Sequence, residues 1–375
     1  MDAEAVHVKQ LFTEVLSSRE ALACDTVLLS GGLDTSIASE ILKQQVGSQL
    51  KTGITVTIDP AHNELAKSHG LFTQDPQDVV YARRIAEKLG LDHHVLTPTL
   101  DELFFAGDRS TLDLCVRVRQ TFDGMELRNA VVIAHALKYA KSIGCQRVCT
   151  GDGADELFAG YSFMQRMSEE DLPRYTLGMV KTMSFCAVPL AKALGLEVWS
   201  PFLDPRVIEY ATTRGNSRDL KVGHFEGAIH GKLVLRVAFP MVVSAGRKKE
   251  PIECGCGTTV MPALAELAVS DSEFESEARE ALDRFGIVVR DKERLVYFRT
   301  FQHVVLLGDG PGQLPEGASD ACPDCKFRLC DGTSFCSVCG LYPARPITNG
   351  RRVSDVTRAL CTHKSPSQMI KSIVP

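Results

Sequence analysis

No window of this chain approaches the ~18 consecutive apolar residues of a membrane-crossing helix, and its N-terminus lacks a signal-peptide pattern. The sequence therefore predicts a cytoplasmic protein with no membrane partner. Excess positive charge is missing too. Lysine and arginine total 42 against 47 aspartates and glutamates, a net charge of −5, so there is no general electrostatic case for nucleic acid. No internal repeat is visible. With no oxidising compartment implied, the 13 cysteines do not read as a disulfide framework; metal ligation or thiol chemistry accounts for them better. What remains is an ordinary globular composition, 44% hydrophobic and 24% charged over 375 residues, enough for one large domain and a small appendage.

The most informative stretch is Leu28-Leu29-Ser30-Gly31-Gly32-Leu33-Asp34-Thr35-Ser36, in which an apolar strand runs into a Ser-Gly-Gly turn, an acid and two hydroxyls. Glycines there let backbone amides approach an anion, and the following helix aims its positive end at the same point. No Gly-Lys-Ser/Thr follows, so this is not the P-loop of kinases and GTPases. The pattern S-G-G-x-D-[ST]-S instead resembles the pyrophosphate-binding loop of the N-type ATP pyrophosphatases, which cleave ATP between its α- and β-phosphates.

Periodicity places a lead-in helix in residues 1–24, then the strand Thr26–Leu29, the helix Thr35–Gln45 and a second strand Gly53–Ile58. A helix Asp78–Leu89 closed by Gly90, a short strand His94–Leu96, a helix Ala130–Ile143 and a strand Gln146–Thr150 follow. Alternating strands and helices predict an α/β domain with a doubly wound parallel sheet, spanning 25–215, with ligands above the carboxyl ends of the strands. Residues 216–305 read as a mostly helical extension that completes the site. The Gly- and Pro-rich 306–320 reads as a linker, 321–345 as a cysteine-rich module and 346–375 as a basic tail.

A second motif, Thr150-Gly151-Asp152-Gly153-Ala154-Asp155-Glu156-Leu157-Phe158-Ala159-Gly160-Tyr161, sets three acids among glycines at a strand end, where carboxylates facing a phosphate cradle suit Mg²⁺. It resembles the G-E-G-x-D-E-x-F-x-G-Y motif of asparagine synthetases. Further matches follow in the family's order. Gln120-Thr121-Phe122-Asp123 with Arg128 resembles E-T-Y-D…R, and Ser200-Pro201-Phe202-Leu203-Asp204 resembles V-P-F-L-D. Lys232-Leu233-Val234-Leu235-Arg236 and Arg247-Lys248-Lys249-Glu250 resemble K-x-x-L-R and R-x-K-E.

The resemblance covers the synthetase domain and implies an ATP-dependent, AMP-forming carbon–nitrogen ligase acting on a small acid. By the same resemblance Ser30, Gly31, Gly32, Asp34, Thr35 and Ser36, with Gly151, would hold the pyrophosphate, and Asp34 and Asp155 would bind Mg²⁺. Leu29 and Val56 would frame adenine. Lys249 would neutralise charge on the α-phosphate, and Asp152 stands where the family carries a catalytic glutamate. The family's N-terminal glutaminase domain finds no counterpart before the phosphate loop, so ammonia is expected free, from a partner, or replaced by another nucleophile. Gln120 and Trp199-Ser200 depart from the family pattern and put aspartate as the acid in question.

Cys322-x₂-Cys325 and Cys336-x₂-Cys339 form paired knuckles suited to a tetrahedral Zn²⁺ site, with Cys330 a spare thiol. Cys254 and Cys256 follow Lys249 closely, and Cys145 and Cys149 flank the strand before Gly151. These four are read as packing thiols, as a sulfur relay or, least favoured, as iron–sulfur ligands. A sulfur relay would go with an alternative reading in which tRNA or a protein carrier is adenylated. The zinc ribbon and the basic residues Lys326, Arg328, Arg345, Arg351, Arg352, Arg358, Lys364 and Lys371 would then hold the macromolecule. A non-catalytic nucleotide-binding module is the remaining alternative.

Overall fold

The computed structural model describes residues 1–59, 62–71, 77–107, 110–308, 320–330 and 333–345. Most of the expected linker, and all the basic residues from Arg351 onward, lie outside these residues. Five short strands form one parallel sheet: β1 (Thr26–Leu28), β2 (Thr52–Val56), β3 (Asp92–Leu96), β4 (Arg147–Cys149) and β5 (Glu197–Trp199). Their order is β3-β2-β1-β4-β5. The chain moves outward in one direction from β1 to β3 and then crosses back to β4. The sheet thus has its topological switch between β1 and β4, where open α/β sheets bind ligands.

Side chains alternate across the sheet, so each face has its own core. Val27 and Leu29 pack with Phe12, Val15 and Leu16 of the N-terminal helix Asp2–Leu16 and with Ile37 and Leu42 of the helix Leu33–Gln44. Ile54, Val56 and Val148 pack on the opposite side against Leu127, Val131 and Leu137 of the long helix Gly124–Ser142. The N-terminal helix is therefore part of the core. The helix Asp78–Leu89 ends as its sequence implies, on Gly90 in a left-handed conformation (φ +61°).

Three features depart from the sequence reading. The extension contains an antiparallel hairpin, β6 (Val222–Phe225) and β7 (Ala228–Gly231), turning through Glu226 and Gly227, both at positive φ. The cysteine module packs into the same core as the sheet's second face and is joined to it by backbone hydrogen bonds. Finally, residues 171–194 are apolar and long enough to cross a membrane by length and composition, contrary to the expectation that no segment is. The structure breaks that stretch into the helices Asp171–Thr182 and Ala187–Leu194, the second packed on the helix Gly124–Ser142.

Candidate active site

Both glycine motifs leave the sheet at the switch and meet there. Gly31 holds φ +68°, and a Cβ on it would come within 2.6 Å of the Asp78 carbonyl oxygen, so only glycine fits this turn. Gly151 lies so close to the first motif that a Cβ would sit 2.9 Å from Asp34 Cβ. The helix Leu33–Gln44 begins at Gly32, with Asp34 in its first turn, and directs its N-terminus at the junction. Leu29, Ser30, Asp34, Thr35, Val56, Gly151, Asp152, Asp155 and Lys249 all line one cavity of about 620 Å³. Gly31, Gly32 and Ser36 do not line it; the buried Ser36 hydroxyl has no partner, as suits a donor kept for a phosphate oxygen.

Charge in the cradle is arranged by residues far apart in sequence. Lys232 Nζ lies 2.7 and 2.5 Å from the two Asp34 oxygens and 2.7 Å from Asp155 Oδ1, and Lys249 Nζ lies 2.9 Å from Asp155 Oδ2. Burial opposes the charge on Asp155, yet the two ammonium groups hold its carboxyl at about 2. Burial likewise opposes charge on Lys249, but Asp155 and Asp34 push it up to about 12, so it remains a cation. Two buried carboxylates facing a hydroxyl-lined cradle are a donor set that fits Mg²⁺ beside phosphate oxygens.

Asp152 lines the same cavity with a different balance. Burial raises its carboxyl to about 6, helped by the negative charges of Glu156, Asp155 and Asp34, while a hydrogen bond from Thr150 Oγ1 (3.0 Å) opposes this. A carboxylate titrating near neutrality can accept a proton. Its backbone is braced by the Ser200 hydroxyl, which donates to the Asp152 carbonyl (2.7 Å).

Several residues that hold the site carried no role in the sequence reading. Lys232 belongs to a quoted motif but was assigned nothing; its backbone is left-handed (φ +59°), a strained conformation of the kind found at functional sites. Arg247, which in isolation reads as part of a solvated basic run, is buried. It donates to the Ser30 carbonyl (3.2 Å), Asp78 (2.7 Å) and Glu250 (2.8 Å) and lies over the Tyr81 ring. Ser244 Oγ donates to the Gly31 carbonyl (2.6 Å). By contrast, the Gln120–Asp123 segment does not line the cavity. Thr121 Oγ1 and Phe122 N donate to backbone carbonyls of Ser337 and Val338, and Asp123 caps the helix Gly124–Ser142. Arg128 is bound by both oxygens of Glu293 (2.7 and 3.0 Å).

Cys322, Cys325, Cys336 and Cys339 are buried with their sulfurs all within 4.8 Å of one another. Cys322 and Cys339 are 3.6 Å apart and Cys325 and Cys336 3.5 Å. Zn–S bonds of ~2.3 Å at tetrahedral angles place sulfurs ~3.8 Å apart, so the set fits a tetrathiolate metal site. The two halves repeat each other. Lys326 N donates to the Cys322 carbonyl and Gly340 N to the Cys336 carbonyl, each from a residue at positive φ. No other such group of ligands occurs among the described residues, and Cys145, Cys149, Cys254 and Cys256 are not gathered into one. Cys256 lines the cavity, but burial pushes its thiol up to about 12, and burial raises Cys254 as well. Of the basic cluster, Lys326 and Arg345 bond locally to the Pro323 carbonyl and Asp320, and Arg328 is also engaged.

A five-stranded parallel sheet with a glycine cradle at its switch defines an α/β nucleotide-binding domain of the N-type ATP pyrophosphatase kind. Residues 22–184 match the asparagine synthase family. The chain is 28% identical over 316 residues to Asparagine synthetase B (glutamine-hydrolyzing) of Escherichia coli K12, covering 80% of this chain and 53% of that protein. It is 29% identical over 304 residues to a probable asparagine synthetase (glutamine-hydrolyzing) of Schizosaccharomyces pombe, covering 74% and 52%. The chain thus spans about half the length of these curated relatives.

Proposed function

We propose that this chain is an ATP-dependent ligase that adenylates the carboxylate of a small acid and passes the acyl group to ammonia or another amine. The observation that carries this reading is the Asp34–Lys232–Asp155–Lys249 network beneath the Ser-Gly-Gly cradle. A carboxylate oxygen of the acid attacks the α-phosphorus, the α–β bridge breaks, and pyrophosphate leaves. Lys249 lies where a cation would offset charge gathering on the α-phosphate. Ser30, Thr35, Ser36 and the N-terminus of the helix Leu33–Gln44 would receive the pyrophosphate. Leu29 and Val56 would border the adenine. In the second step the amine nitrogen bonds to the acyl carbon, AMP departs, and Asp152 takes the amine's proton.

Asp34 and Asp155 would hold Mg²⁺, which when bound offsets the negative charge of the phosphates. The four ribbon thiolates would hold Zn²⁺ in a closed structural site. The tRNA-directed sulfur-transfer alternative draws no support from Cys254 and Cys256, which are not gathered with other thiols and whose thiols burial pushes up. Asp34→Ala is expected to abolish pyrophosphate release from Mg-ATP; release at the parent rate would end this reading.

A further inference from the structure

The cavity has two unlike halves. One, beside β1 and β2, holds Leu29, Ile54 and Val56 next to the phosphate cradle. The other is walled by Tyr161, Phe163, Met179, Phe185 and Ala187, all from the chain between β4 and β5, and Met125 lines the cavity as well. If the adenylate occupies the first, the second is where the acid's body must lie. Building on the ligase reading, we infer that the acid is a monocarboxylate with an apolar body, its carboxylate at Lys249 and its body against Tyr161, Phe163, Met179 and Phe185.

Charge is the first argument. Among the described residues lining the cavity, Lys249 is the one cation, against Asp34, Asp78, Asp152, Asp155, Glu156 and Glu253. Lys249 is held by Asp155 and lies at the phosphate end. Arg128, on the helix that walls the cavity, is bound by Glu293 and does not reach in. A dicarboxylate such as aspartate keeps a second carboxylate after the first is adenylated. In this half that group would be buried against Tyr161, Phe163, Met179 and Phe185 with no cation among the cavity's lining residues there, an arrangement proteins avoid because desolvation goes uncompensated. A smaller cavity of about 340 Å³, sharing Tyr161, Phe163, Lys249 and Pro251, does carry His230, Arg236 and Lys248. Arg236 there is spent on the Gly231 and Ala245 carbonyls.

Surface chemistry is the second argument. Tyr161 and Phe163 stack at 5.6 Å with rings 10° apart, and Tyr175 meets Phe163 edge-on at 5.6 Å, which fixes an aromatic wall. The Tyr161 hydroxyl is committed to Glu156 (2.6 Å), so the ring is what it offers an occupant. Met125 and Phe163 are 61% and 46% exposed, and they lead this wall out to solvent. An acyl body several carbons long can cover them, and burying that apolar surface is favourable.

The test is ATP–pyrophosphate exchange by the whole chain with Mg-ATP, comparing hexanoate and 3-phenylpropanoate with L-aspartate and glutarate. Equilibrium binding of labelled ATP is measured in parallel. The monocarboxylates are expected to support at least tenfold more exchange. Phe185→Ala should raise the KM for 3-phenylpropanoate about tenfold while labelled ATP still binds. Exchange as strong with aspartate or glutarate would overturn the inference and leave the ligase reading intact. An unaltered KM in Phe185→Ala would overturn the placement of the acid. No exchange with any acid, while ATP still binds, would overturn the ligase reading and this inference together.

Discussion

The phosphate cradle and the cysteine ribbon are both built on tight glycine-bearing turns around concentrated negative charge, but they are neutralised in opposite ways. In the cradle, Asp34 and Asp155 take their cations from Lys232 and Lys249, so the protein itself supplies the counter-charge across nearly two hundred residues of chain. In the ribbon, four sulfurs lie within 4.8 Å of one another, a donor set whose counter-charge a bound metal would supply. The cradle is therefore a property of the whole fold, whereas the ribbon, on the reading proposed above, would depend on its metal.

The largest expected effect breaks the comparison from the ribbon side. Cys325→Ser should release about one equivalent of metal per chain, since metal binding supplies ~10 kcal/mol or more of folding energy to such sites. In hydrogen exchange, the amides of Cys322, Lys326, Cys336 and Gly340 should lose protection while those of β1 and β4 keep theirs. Loss of protection throughout the sheet would show that the two regions are one cooperative unit.

Next, Lys249→Ala should lower pyrophosphate exchange by roughly 10²–10³, the scale of removing one group that stabilises a charged transition state. An effect below about threefold would remove Lys249 from the reaction. Asp152→Asn should sharpen the division between the two steps. Amide formation should fall by about 10² or more, while exchange changes little. In the parent protein, amide formation should decline as pH falls through about 6, because protonated Asp152 cannot accept a proton. A profile flat from pH 5 to 8 would count against this base.

The cradle's motifs were legible because their signal is local. Ser30–Ser36 and Gly151–Asp155 each carry turn, charge and helix start within a few residues. The four ribbon cysteines were legible for the same reason. Arg247 and Lys232 were not, since their meaning lies in partners such as Ser30 and Asp34 that only the fold brings near. The strand β5, unlike β1 and β4, has no buried pair, its Glu197 being exposed and Val198 and Trp199 half-buried, and the helices Asp171–Thr182 and Ala187–Leu194 contain Pro173, Gly178 and Pro189, which read as punctuation. Gln120–Asp123 shows the opposite case. Its family pattern was visible, but its position under the second knuckle, where Thr121 and Phe122 hold Ser337 and Val338, is a tertiary fact.

The smallest expected effect tests the bracing from outside the motifs. Ser244→Ala removes the buried bond to the Gly31 carbonyl and should cost about 1 kcal/mol, weakening ATP binding roughly fivefold. Unchanged affinity would mean that the cradle holds its shape without this support.

The most direct test of the central claim is to identify the products when the whole chain meets Mg-ATP labelled in the α- and γ-phosphates, an acid and ammonia. The account predicts AMP and pyrophosphate in equal amounts, with an amide formed alongside. ADP and inorganic phosphate would place the cleavage at the terminal phosphate and contradict the assignment of this cradle to adenylation.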